Sequence, residues 1–216
     1  AQGGEGGGHT GVVPTTLLLP QVVDAVGAEI PVLGAGGFFD GRGLVAALAY
    51  GADGIAMGTR FLLTQESRVP DAVKARYTAA TVTDTVVTTA LDGAPQRVIR
   101  TEVVDRIERS PKLLRFPRAA AAAWRFSRET GTSVRDLVRE GLAMRRNQDL
   151  TWSQVALAAN APTLIKATLV EGKVDVGVLP TGQTTGVIDE LPTVADLLAR
   201  LEKEAETALA HLGGPR

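Results

Sequence analysis

Three glycine-rich segments and one histidine are the residues whose types and spacing could do chemistry. The segments lie at residues 3–8, residues 34–37 and Gly58, each at or near the carboxyl end of a predicted strand. Because glycine has no Cβ, the backbone N–H groups of such turns can approach phosphate oxygens closely. Any one of these turns alone is equally typical of a tight strand-to-helix connection. Together, on successive units, they favour a phosphate-binding site.

His9 lies among six glycines, and the only other histidine of the chain is His211. A core histidine normally has bulky apolar neighbours, whereas Gly8 and Thr10 predict an exposed loop. There the imidazole could reach a ligand and exchange a proton near neutral pH. An ordinary surface-loop histidine is the alternative. No second histidine or paired carboxylate stands at metal-ligand spacing, so no metal site is predicted, and Glu5 is expected to orient the loop.

The elements that must position these residues alternate between strand-like and helix-like segments. This alternation is typical of parallel β/α units, in which the loops after the strands form the active face. The spacing predicts helices over residues 16–26 and 43–50, the second capped by Asp40, and strands over residues 30–34 and 54–57.

Beyond Glu66 the pattern changes to helices with short apolar segments. An alanine-rich helix is predicted around residues 119–123, a basic amphipathic helix over residues 133–146, and a last helix over residues 193–212. We therefore predict three parts. They are barrel strands and loops at residues 1–66, a small, mostly helical cap or substrate domain at residues 67–190, and a helix docking on the barrel at residues 191–216.

The composition limits the classes of partner. The chain of 216 residues is 44% hydrophobic, carries 23 basic and 24 acidic residues, and has no cysteine. A near-neutral balance without a basic block predicts no nucleic-acid or membrane partner, and no apolar run is long enough to span a bilayer. The lack of cysteine fits a cytoplasmic protein.

The sequence opens within a functional loop and without Met. Our hypothesis is that a further part supplies the earlier barrel strands. Because a partial barrel exposes unpaired strand edges, a companion barrel half or a homodimer is expected.

Three motifs resemble the signature series of the nitronate monooxygenase (2-nitropropane dioxygenase) family in order and spacing. They are QGGEGGGHTG at residues 2–11, IPVLGAGG at residues 30–37 and GADGIAMGTRF at residues 51–61, with a later GQTTG at residues 182–186. The resemblance implies an α/β fold, the C-terminal part of a TIM-type (β/α)8 barrel with an additional mostly helical small domain. Gly6 departs from the family's alanine, and Ala56 from its common glutamine.

The same resemblance implies an FMN enzyme that oxidises alkyl nitronates with dioxygen to a carbonyl compound and nitrite. His9 would be the catalytic base. The flavin would be held by Gln2, Gly7, Gly8, Gly36, Gly37, Ala56, Met57, Gly58 and Thr59.

Two alternatives remain open at this stage. FMN-dependent enoyl-acyl-carrier-protein reductases and NAD(P)H:quinone reductases resemble the same motifs and would also act on a small-molecule substrate. A partial barrel without its own active centre, acting as a binding or assembly module, is the other.

Overall fold

The computed structural model describes residues 1–109 and 161–213. Within these ranges the strands are β1 (Gly8–His9), β2 (Leu33–Ala35), β3 (Gly54–Ala56), β4 (Thr85–Thr88) and β5 (Gln96–Ile99). The helices are α1 (Thr15–Val26), α2 (Gly41–Ala49), α3 (Gly58–Leu62), α4 (Asp71–Thr78), α5 (Glu102–Arg109), α6 (Ala161–Leu169) and α7 (Val194–Gly213).

Strands β2 and β3 form a parallel pair joined by α2, which confirms the predicted β/α unit. The Asp53 carboxylate accepts the Val32 N–H at 2.7 Å, and the Asp53 N–H donates to the Val32 carbonyl at 2.8 Å, so both bonds fix the register below the strands. A cluster of small and medium apolar side chains from α1, α2 and their strands fills the space behind the pair: Leu19, Val32, Phe38, Ala47 and Ala52.

Strand β2 begins at Leu33, three residues later than the strand predicted from residue 30. Pro31 has no N–H to donate to a neighbouring strand, and the Ile30 N–H donates to the Val26 carbonyl at the end of α1. Ile30 is consequently 56% exposed and lies outside the strand. Pro20 lies inside α1 without ending it, one turn after the helix starts.

The predicted cap of helix α2 is confirmed, because the Asp40 side chain accepts the Gly43 N–H at 3.0 Å. The helix runs two residues earlier than expected, from Gly41. Helix α7 packs directly on this end, and the Gly41 N–H donates to the Glu204 carboxylate at 2.9 Å. A Cβ on residue 41 would overlap the α7 backbone at Leu201 and Ala205. Glycine therefore sets how closely the two helices approach.

The mostly helical small domain predicted after residue 66 is not confirmed, since the described part contains a β-hairpin. Strands β4 and β5 pair antiparallel, with Val86 opposite Val98, and β1 adds to the other edge of β5. The β-branched residues of Thr85–Thr88 favour a strand, but four residues are too few for a clear alternation. The pairing also ties residues 8–9 to residues 96–97, across the boundary predicted near residue 67.

The helices predicted around residues 119–123 and over residues 133–146 lie outside the described residues. Among the helices described in residues 1–109 and 161–213, none combines the length and apolar character needed to cross a membrane.

A second apolar cluster joins α4, β5 and the segment before α7. Its buried members are Leu63, Val73, Tyr77, Ile99, Leu179 and Ile188. The Tyr77 hydroxyl donates to the Pro180 carbonyl at 2.6 Å, and the Thr185 hydroxyl donates to the Tyr77 carbonyl at 2.9 Å. Burial raises the pKa of the Tyr77 hydroxyl, so it stays a neutral donor. These bonds fix where residues 180–185 run.

Gly41→Ala tests the α2–α7 contact. The added methyl group has no space against the α7 backbone, so we expect a loss of about 1–3 kcal/mol in the free energy of unfolding, as for other overpacked sites. Urea unfolding followed by circular dichroism measures it. Gly213→Ala, where a Cβ meets no atom within 4 Å, is the control. Equal stability of the two variants would contradict the close packing.

Candidate active site

Four chain segments surround a cavity of about 550 Å³, a size typical of cofactor and ligand pockets. Three of them are the loops at β1, after β2 and after β3, and the fourth is the segment at residues 180–184. All nine residues predicted to hold the flavin line this cavity: Gln2, Gly7, Gly8, Gly36, Gly37, Ala56, Met57, Gly58 and Thr59. Sequence reading did not assign the other lining residues: Glu5, Gly6, Ala35, Phe38, Leu62, Pro180, Thr181, Gly182 and Thr184.

The turn after β2 requires glycine for conformational reasons. Gly36 and Gly37 have φ values of 90° and 84°, a region that residues with a Cβ rarely adopt. In the described part of the chain, the N–H groups of Gly37, Gly58 and Thr59 donate to no protein acceptor. Backbone donors at a cavity wall that lack protein partners suit an anionic ligand.

The first glycine loop is held in place by Glu5. Its carboxylate accepts the Thr15 N–H at 3.0 Å and the Thr15 hydroxyl at 2.7 Å, at the first residue of α1. The same hydroxyl lies 2.9 Å from the Gly36 carbonyl, so Thr15 also contacts the second loop. The predicted orienting role of Glu5 therefore has a geometric basis. Gly3 lies against Thr15 with no room for a Cβ.

Arg97 of β5 supports the same loop from the other side. Its guanidinium donates to the Gly4 carbonyl at 2.8 Å and to the Thr85 hydroxyl at 3.0 Å. Desolvation lowers the pKa of Arg97, and the charge of Glu5 opposes this shift. A cation next to an acidic side chain thus contributes to holding the loop between α1 and the antiparallel sheet.

The segment at residues 180–184 closes the cavity opposite the loops. The Thr59 hydroxyl oxygen accepts the Gly182 N–H at 3.0 Å, and the Gln183 N–H donates to the Glu5 carbonyl at 3.0 Å. The GQTTG motif resembled a family segment, but its position in the sequence gave no indication of this contact. Gly182 follows Thr59 by more than 120 residues in the sequence, so only the folded chain brings the two together.

His9 lies beside the cavity rather than among its lining residues. Its side chain is 67% exposed, as its glycine neighbours predicted, but the residue belongs to strand β1 instead of a free loop. The Gln2 side-chain amide donates to the His9 carbonyl at 2.7 Å, which connects this strand to the cavity wall. The imidazole Nε2 lies 2.6 Å from the Asp92 carboxylate.

Sequence reading did not identify the partners of His9. Asp92 and Gln96 follow 83 and 87 residues later, in the loop after β4 and at the start of β5. An Asp-Gly pair inside a loop is an ordinary turn signal, so nothing in it pointed to the histidine. The β1–β5 pairing, which sets His9 opposite Gln96, brings the three together.

The chain is similar to several known proteins. The sequence model of a family described as nitronate monooxygenase matches residues 1–204. A relative from Mycobacterium tuberculosis named (3aS,4S,5R,7aS)-5-hydroxy-7a-methyl-1-oxo-octahydro-1H-indene-4-carboxyl-CoA dehydrogenase is 56% identical over 209 residues, which are 96% of this chain and 59% of the relative.

Two solved structures share the fold. FabK from Thermotoga maritima is 31% identical with a TM-score of 0.69, over 98% of this chain and 55% of that one. A nitroalkane oxidase from Streptomyces ansochromogenes is 28% identical with a TM-score of 0.65, over 99% of this chain and 52% of that one. The predicted α/β fold is confirmed, and the chain spans little more than half the length of these proteins.

Gly7→Ala tests whether the cavity holds a flavin. A Cβ on residue 7 would overlap the backbone of Thr181 and Gly182 and push that wall away. Overpacking of about 1–3 kcal/mol corresponds to a flavin Kd raised roughly 5- to 150-fold. Fluorescence titration with FMN measures it. Gly11→Ala, on the other side of β1, is the control: a Cβ there meets open space, so this variant should bind flavin normally. Equal affinity of both variants would contradict the assignment.

Proposed function

Since the chain belongs to the nitronate monooxygenase family, we propose that it carries the flavin-binding half of an FMN-dependent oxidoreductase. Its proposed substrate is a coenzyme A thioester of a hydroxylated fused-ring carboxylic acid, which it dehydrogenates. The observation that carries the substrate class is the 56% identity with the carboxyl-CoA dehydrogenase over 96% of this chain. The cavity and the imidazole beside it are the observations that support the proposed type of reaction.

The cavity suits FMN in its donor set and its walls. In the described residues no Lys or Arg lines it, and its one charged lining residue is Glu5. A phosphate would therefore be held by backbone N–H groups, for which Gly37, Gly58 and Thr59 have free donors. The Thr59 hydroxyl, besides accepting the Gly182 N–H, retains its own proton to donate. Met57, Phe38 and Leu62 supply apolar surface.

The chemistry divides between the cofactor and the chain. When bound, the flavin supplies the acceptor for the hydride that a dehydrogenation releases. The protein must take the proton that leaves with it. His9, exposed at the cavity's edge, is the group proposed for this. A thioester carbonyl acidifies the adjacent C–H bond, so the proton at that carbon is the one that His9 would take as the hydride leaves.

His9→Asn tests the base. Loss of a positioned general base lowers kcat by roughly 10²- to 10⁴-fold. His9 does not line the cavity, so flavin affinity should stay unchanged. Steady-state kinetics and flavin titration on the same preparations separate the two effects. A normal kcat in the variant would remove His9 from the reaction.

Nitronate oxidation is a second candidate, favoured by the family model and by the likeness to a nitroalkane oxidase. A nitro group acidifies the neighbouring C–H bond as a thioester does, so the same imidazole would act at the same kind of carbon. The reductase alternative stays a third candidate, because enoyl reductases resemble the same glycine motifs. Thioester dehydrogenation, enoyl reduction and turnover of a neutral nitroalkane each exchange a proton at a carbon next to an electron-withdrawing group.

Anaerobic mixing of the flavin-loaded protein with each reductant separates the candidates. We expect a hydroxylated ring-carboxyl-CoA thioester to bleach the flavin absorbance within seconds. Bleaching by NADH or NADPH instead would favour a reductase. In a separate aerobic assay, consumption of propyl-2-nitronate with oxygen uptake would favour the monooxygenase. A protein that binds no flavin would contradict all three and support the non-catalytic module.

A further inference from the structure

The environment of His9 determines which of its two nitrogens is free. Nε2 lies 2.6 Å from Asp92 Oδ2, and in the described part of the chain Nδ1 has no hydrogen-bond partner. The histidine is mostly exposed, whereas the side chain of Asp92 is only 8% exposed. One edge of an open imidazole is thus attached to a buried carboxylate.

The carboxylate itself is held rigidly. Its Oδ1 accepts the Ala94 N–H at 3.0 Å, and its Oδ2 also accepts the side-chain amide of Gln96, a residue 1% exposed. Gln96 stands directly opposite His9 in the β1–β5 pair. Among the described residues, the side-chain hydrogen-bond partners of Asp92 lie in the antiparallel sheet or its connecting loop, and the Ala94 N–H and the Gln96 amide are donors.

The direction of these hydrogen bonds is fixed by chemistry. An ionised carboxylate only accepts, so a neutral imidazole in contact with it must carry its proton on Nε2. The Gln96 amide must point its nitrogen at Asp92, because the reverse orientation would place two acceptor oxygens against each other. The 3.2 Å separation of Gln96 Nε2 from His9 Nε2 then reflects two donors sharing one acceptor.

We propose that Asp92 is a positioning residue that holds the His9 imidazole in the Nε2–H tautomer and makes Nδ1 the atom that accepts the substrate's proton. Gln96 fixes the carboxylate in turn. The proposal rests on the proposed function for the role of His9 as the base, but the tautomer itself is a property of the protein alone.

An exposed ion pair without such a role is the simpler interpretation, and exposed pairs contribute little to stability. Two features go beyond it. Asp92 is buried, and its burial is compensated by two further donors instead of by solvent. In addition, the contact orients a ring whose remaining nitrogen is left open, which a pair serving stability alone does not require.

Nuclear magnetic resonance on protein labelled with ¹⁵N-histidine tests the tautomer directly, with His9→Asn assigning the signal. At a pH where the imidazole is neutral, we expect a slowly exchanging ring proton on Nε2 of His9 and an unprotonated Nδ1. Asp92→Ala should lose this proton signal. A proton on Nδ1, or no protected ring proton in the unmodified protein, would overturn the proposal whatever the substrate is.

A double-mutant cycle tests the positioning role in the flavin-loaded protein. Misplacing a reacting group costs on the order of 10²-fold, so Asp92→Ala should lower kcat by about that factor with KM and flavin affinity unchanged. In the His9→Asn background it should lower kcat no further. A loss of equal size in both backgrounds would mean that Asp92 acts through the fold, which overturns the proposal.

Two further comparisons keep the outcomes distinct. Asp24→Ala, an exposed carboxylate on α1, is the matched control and should leave both the ring proton and kcat unchanged. If the ring proton is found on Nε2 while His9→Asn leaves turnover intact, the proposed function is wrong in its base. The tautomer assignment is supported by that same result.

Discussion

Close approach of backbone to backbone is the constraint on which the rest of this structure depends. Gly3, Gly7 and Gly36 each lie where a Cβ would overlap or crowd a neighbouring chain segment, and Gly41 does the same between two helices. Only glycine allows the three loops and the segment at residues 180–184 to converge on one cavity. The free N–H groups that line it belong to the second and third loops, at Gly37, Gly58 and Thr59.

The antiparallel sheet adds a second function to the fold. By pairing β1 with β5, it attaches the first glycine loop to a hairpin more than 80 residues away and supplies the imidazole with a buried carboxylate. Arg97 extends the same link to the Gly4 carbonyl. The parallel unit therefore provides two of the four segments around the cavity, while the hairpin holds the imidazole beside it. Neither part alone would make a site of this design.

The family relationship and the geometry indicate the type of chemistry more clearly than they indicate the substrate. Nitroalkanes and thioesters share an acidified C–H bond, so under the proposed function one imidazole beside the cavity can serve either. The chain spans little more than half the length of these relatives. The high identity with the carboxyl-CoA dehydrogenase favours the thioester.

The sequence by itself determined the β/α unit and the Asp40 cap, because these depend on contacts within short segments. Through its resemblance to the family it also named nine of the residues that line the cavity. It did not predict the start of strand β2 correctly, because Ile30 is excluded from the strand by the hydrogen bond that its N–H donates to the Val26 carbonyl. Only the tertiary structure decided the hairpin, the closing wall and the partners of His9. Strands of four residues are too short to show a clear alternation of apolar and polar residues. The Asp92 carboxylate is 83 residues from His9 in the sequence, and only the pairing of strands in the sheet brings the two side chains together.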